Sequence, residues 1–126
     1  MREIIVLQAL INLASYARAV VAGPPQAGRS PRWPKVQREA LLRDGFRCQY
    51  CKRPRSSVKL IGHHIQGYGP HPELELVLDN VITLCQPLGG GCHLKQGHRN
   101  KATGRCAWNA YNADIVADCR ARQGEV

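Results

Sequence analysis

Aromatic residues are scarce in this chain: one Phe, two Trp and four Tyr among 126 residues. A single domain of that length buries a smaller share of its surface than a larger protein does, and with so little bulky apolar material its core is thin. An added cross-link is the expected remedy, and the six cysteines supply the means. Acidic residues are scarce too, nine Asp and Glu against 18 Lys and Arg, for a formal charge of +9. Between Arg29 and Lys59 ten basic residues meet only Glu39 and Asp44, and Lys95, Arg99, Lys101 and Arg105 follow with no acid between them. An excess concentrated in this way attracts a phosphate backbone through counterion release, although a solvated basic face also keeps a small protein soluble.

A hydrophobic run long enough for a membrane is also missing. From Ile4 to Ala17 there are 14 residues without a charge, short of the roughly 20 needed to span a bilayer. Gln8, Asn12, Ser15 and Arg18 recur at helical steps, which puts a polar stripe on an otherwise apolar helix. Residues 1–22 are therefore expected to form an amphipathic helix that docks on the rest of the chain or on a protein partner. Ala17-Arg18-Ala19 resembles a signal-peptidase site, but Glu3 offsets Arg2, and Gln8 and Asn12 interrupt the apolar run, so a cytoplasmic protein is expected rather than an exported one. Internal repeats and low-complexity tracts are absent.

The remaining chain divides by its punctuation. Residues 23–34 (GPPQAGRSPRWP) hold four prolines and no apolar period, and read as a linker to a functional unit over 35–126. Pro34 suits the first turn of a helix that Val36, Ala40, Leu41 and Leu42 continue and Asp44-Gly45 stops. Val58 to His64 and Val81 to Leu84 read as short strands separated by the loop Gly67 to Pro72. Gly89 to Gly91 break the chain before Cys92, where a helix starts and runs to about Gly97. The fold class is α+β.

Cys48-x-x-Cys51 presents two thiolates to one ion, and Cys85 with Cys92 can complete a tetrahedral four-cysteine zinc site. Six residues separate Cys85 from Cys92, so a long glycine-rich loop must be accommodated. Two disulfides are the alternative in an exported protein, and the weak export signal favours zinc. Cys106 and Cys119 have no ligand-like spacing and are ordinary thiols or a disulfide with each other. Adjacent residues on a strand point to opposite faces, so His63 and His64 cannot both ligate one ion without distortion. If one binds a metal and the other faces substrate, the pair becomes a ligand beside a general base, the division of labour that phosphodiester hydrolysis needs. His93 and His98 lie close to the cysteine knot in the chain, which argues against a purely structural use of all four.

The order Cys48-Gln-Tyr-Cys51, then Gly-His63-His64-Ile, then Asp79-Asn80 leading to Cys85, then Cys92-His93, resembles the HNH endonuclease family. The wider run from Arg29 to Arg99 looks like a subgroup of small bacterial and phage members. The resemblance implies a small zinc-stabilised ββα-metal finger of treble-clef character with flanking helices and a core motif over 48–99. It implies His63 as first ligand of a catalytic divalent metal (Mg2+, Mn2+, Ni2+ or Zn2+), His93 as second, His64 as base and Asn80 as the brace that orients that base. The zinc held by Cys48, Cys51, Cys85 and Cys92 would be structural. His98 could be a third ligand, yet five residues of regular helix would turn it about 140° away from His93. The implied reaction is metal-assisted hydrolysis of DNA to 5′-phosphate and 3′-hydroxyl ends.

The chain departs from the simplest family pattern in its apolar N-terminal helix, its wide Cys85 to Cys92 spacing and an insertion around Lys101 to Ala107. His71, Glu73 and Glu75 read as surface groups paired with the basic helix. Two other readings share most of these features: a non-catalytic zinc-stabilised DNA-binding module, and an exported nuclease toxin whose N-terminal segment is removed.

Overall fold

The structure is a computed structural model that describes residues 12–13 and 30–124. The expected helix over 1–22 and the linker up to Arg29 lie outside the described residues, apart from Asn12 and Leu13, which are helical.

Helix α1 spans Trp33–Arg43, with Pro34 in its first turn, where the missing N–H would have found no partner anyway. It ends at Gly45 and Phe46, both left-handed (φ 67 and 55), whose N–H groups donate back to Leu42 O and Leu41 O at 3.2 and 2.9 Å. Glycine adopts that conformation without a Cβ penalty, so this is where the helix can stop. The next element, the loop from Arg47 to Pro54, closes as an isolated antiparallel bridge that carries Cys48 and Cys51.

Strands β1 (Leu60–His64) and β2 (Val81–Cys85) form a two-stranded antiparallel sheet in which His63 faces Ile82 and His64 faces Val81 across the ladder. All five residues of β2 are buried. Its outer edge is covered: the Asp44 carboxylate accepts the Thr83 N–H at 3.0 Å, the Gln49 N–H donates to Thr83 O at 3.0 Å, and Arg43 donates to Val81 O at 2.6 Å. Covering the edge in this way leaves no unpaired ladder to recruit another strand. Helix α1 lies close to the sheet because Gly62 has no side chain; a Cβ there would stand 3.1 Å from both Gln37 Cγ and Val81 Cγ1.

After the glycine-rich loop, Gly91 and Cys92 begin a helical turn that widens into a π-helix over His93–Gly97. Helix α2 (Ile115–Arg122) returns Ile115 and Cys119 to a core shared with Cys48, Val58, Ile82, Leu84 and Cys85. A second cluster is made of Leu94, Cys106 and Trp108. Cys106 and Cys119 thus sit in different clusters as free thiols. No helix among the described residues is long and apolar enough to cross a membrane.

Candidate functional site

The bridge that carries Cys48 and Cys51 lies against the end of β2, where Cys85 sits, and the helical turn supplies Cys92. The four sulfurs lie within 4.8 Å of one another, so these residues could hold a metal ion. The Cys92 thiol donates to Cys48 and lowers its pKa to about 4, while the same hydrogen bond, followed by burial, pushes Cys92 up. Burial also raises Cys85. A divalent cation can displace the protons retained in such a cluster and take the sulfurs as thiolates. Arg53 donates Nε to Cys51 Sγ at 3.3 Å and Nη2 to Cys85 Sγ at 3.4 Å, placing a positive charge over two of the four.

A second convergence lies on one face of the sheet. The ligating atoms of His63, His93 and His98 also lie within 4.8 Å of one another, all three rings being buried. His63 is 1% exposed and its Nε2 has no hydrogen-bond partner. Burial first, then the neighbouring His93, His98 and His64, hold its pKa well below the ordinary imidazole value, so the ring is neutral and can donate a lone pair. His93 Nδ1 lies 2.9 Å from Gln86 Oε1 and His98 Nδ1 lies 2.8 Å from Ala110 O. Oxygens of this kind only accept, so both Nδ1 atoms carry the proton and both Nε2 atoms carry the lone pair in the neutral rings. Those Nε2 atoms stand 3.1 Å apart. Two lone pairs at that separation call for a proton or a cation between them, and the unpartnered Nε2 of His63 completes a three-nitrogen set.

His98 joins this set because the turn is not a regular α-helix. The His98 N–H donates to His93 O at 3.1 Å, five residues back. The widened turn brings His98 beneath His93 instead of about 140° around from it, as a regular helix would. Sequence reasoning could not see the π-turn, since nothing in His93-Leu94-Lys95-Gln96-Gly97 announces one.

His64 points to the opposite face, as strand alternation requires. Its Nε2 lies 2.9 Å from Glu75 O, so Nε2–H donates and the neutral ring has its lone pair on Nδ1. The Trp33 ring leans on the imidazole, 4.3 Å between centroids and 34° between planes. Asn80 closes the loop that carries Glu75: its Oδ1 accepts the Gln66 N–H at 2.9 Å, and its Nδ2 donates to Gln66 O at 3.0 Å and to Leu74 O at 3.4 Å.

The HNH endonuclease family model matches residues 48–99. That segment, about two fifths of the chain, is similar to the HNH endonuclease family. No curated protein and no solved structure matches the chain. The HNH match begins at the first cysteine of the knot and ends one residue after His98, so it contains every sulfur and nitrogen of the two convergences.

Several residues that frame the histidines went unrecognised in the sequence. Gln86 orients His93, and Trp33 covers His64. Trp108 stands 5.2 and 5.0 Å from the His93 and His98 rings, and Tyr111 4.7 Å from His98. Aromatic residues at positions 33, 108 and 111 lie outside the matched HNH segment and show no spacing that would have pointed to it. The acidic loop also behaves differently from the surface ion pairing expected of it. His71 and Glu73 pair with each other at 3.2 Å, while Glu75 is buried and its carboxylate accepts the Ser30 N–H at 2.9 Å. Glu75 caps the 3-10 turn Pro72–Leu74, and its carboxylate reaches the backbone just before α1.

Proposed function

We propose that this chain is a metal-dependent endonuclease of the ββα-metal, treble-clef type that hydrolyses DNA phosphodiesters, with His64 as general base and the catalytic ion held by His63, His93 and His98. The observation that carries the reading is the opposed setting of two adjacent histidines. His63 turns an unpartnered Nε2 toward His93 and His98, while His64, on the opposite face, turns Nε2–H to a carbonyl, so that its neutral ring carries the lone pair on Nδ1. That is a ligand beside a base, each on its own face of one strand.

In this mechanism Nδ1 of His64 takes the proton of the attacking water, and the resulting imidazolium is stabilised by the Glu75 carbonyl on its other nitrogen. Asn80 fixes the loop that places that carbonyl. When bound, a divalent cation supplies charge neutralisation at the phosphate and Lewis acidity toward the departing 3′-oxygen. His63, His93 and His98 contribute three neutral nitrogens, which leaves positions open for oxygen ligands, whereas four thiolates would close a zinc site to substrate. DNA as substrate is supported by the basic face of α1: Arg32, Lys35 and Arg38 are exposed beside Trp33, which rests on the base.

Plasmid nicking by the zinc-loaded chain across Mg2+, Mn2+, Ni2+ and Zn2+, beside His64→Ala, tests the reading. Divalent-metal-dependent nicking reduced at least about 100-fold in the variant is expected. DNA binding without nicking under every metal would instead make the chain a binding module.

A further inference from the structure

We propose that Asn112 is a positioning residue for the three-histidine centre, and that the segment 107–112, beyond the matched domain, is built to hold His98 in ligating geometry. The inference rests on reading His63, His93 and His98 as a metal centre. A π-turn that ends at Gly97 leaves its last carbonyls without helical donors, and in a buried position each must find one. Here three consecutive carbonyls find theirs in one short stretch: Asn112 Nδ2 donates to Gln96 O at 3.0 Å, the Asn112 N–H donates to Gly97 O at 2.9 Å, and the Ala107 N–H donates to His98 O at 3.1 Å. The same stretch supplies the Ala110 carbonyl that orients His98 Nδ1 at 2.8 Å. The backbone on either side of His98 and the far side of its ring are therefore all set by residues 107–112.

Asn112 is the keystone of that stretch because it is tied in both directions. It is fully buried, at 0% exposure. Its Nδ2 also donates to Asp118 Oδ2 at 2.8 Å and its Oδ1 accepts the Asp114 N–H at 2.9 Å, so the π-turn is anchored to the first turn of α2. Asp118 is in turn held by Lys101 Nζ at 2.8 and 2.9 Å. Without the Asn112 amide, Gln96 O loses this donor, and the turn is free to relax toward a regular helix that swings His98 away.

The test uses the full chain with zinc in the cysteine knot and Co2+ alone as the probe of the histidine centre, followed by calorimetry and the visible spectrum of the ion. Asn112→Ala should weaken Co2+ binding by about 10-fold or more while the zinc content and the far-ultraviolet circular dichroism stay those of the parent. A merely structural role would not predict the second half of the test. In a His98→Ala background the same Asn112→Ala change should alter Co2+ affinity less than about twofold, because the residue acts through a ligand that is no longer there. If Asn112→Ala does not fold, Asp118→Ala removes the carboxylate that fixes Nδ2 while sparing every backbone hydrogen bond of Asn112, and should weaken Co2+ binding at least about threefold. Parent-like Co2+ affinity in whichever of these variants folds, or equal losses with and without His98, overturns the proposal. Failure of the parent itself to bind Co2+ at this centre would overturn instead the reading of the three histidines as a metal site.

Discussion

His63 and His64 share a strand and a residue type, so the difference between them is entirely one of surroundings. His64→Ala should remove most cleavage and leave divalent-metal affinity nearly unchanged, because it deletes a proton acceptor and no ligand. His63→Ala should weaken metal binding by at least about an order of magnitude, with nicking partly recovered at high metal concentration. Isothermal titration of metal into both variants, paired with nicking, checks this; loss of metal in His64→Ala with retention in His63→Ala would reverse the roles. That the two rings must diverge was legible from strand alternation alone. What each ring meets was not, because Trp33 and the Glu75 carbonyl reach His64 from separate parts of the chain. The gap in the sequence reading is sharpest at Glu75: an acid in a polar loop reads as surface, yet it is buried, with its carboxylate accepting the Ser30 N–H from 45 residues away in the chain.

Among the elements, the π-turn decides the most. Gly97 closes it at the point where the turn meets β1 and β2: a Cβ on Gly97 would stand 2.9 Å from both His63 Nε2 and Leu84 Cδ1, two side chains locked in the interior. Gly97→Ala should therefore cost about 1–3 kcal/mol of stability as the turn or the His63 ring is displaced, measured as a lowered urea midpoint in the zinc-loaded chain. An unchanged midpoint would mean that the turn has room the structure does not show. The regular elements were readable from pattern: α1 from its apolar spacing between Pro34 and Gly45, both strands from their β-rich runs, and the break at Gly89 to Gly91. The π-turn was not, since the rule that turns His98 about 140° away holds only for a regular α-helix. Its widening is maintained by hydrogen bonds from residues 107–112, a distance along the chain at which no local pattern operates.

At the scale of the whole molecule, two groups able to hold metals are fused at one peptide bond. Cys92 belongs to the sulfur cluster and His93 to the nitrogen cluster, so the knot that compensates for a thin apolar core also fixes the start of the turn that builds the centre. On the proposed reading the two groups do different work: the thiolates would hold the fold, and the imidazoles would hold the ion used in cleavage. Structural zinc in a small domain is bound with much of the folding free energy, whereas an ion on three neutral nitrogens exchanges more readily. One measurement tests this directly: metal content per chain, circular dichroism and plasmid nicking followed together as a chelator is titrated into the fully loaded protein. Two ions per chain are expected at the start. The first to leave should take nicking with it, leave the circular dichroism intact and be restorable by added divalent metal, and only removal of the second should unfold the chain. A single ion per chain at saturation, or nicking that persists after the first ion has gone, would contradict it.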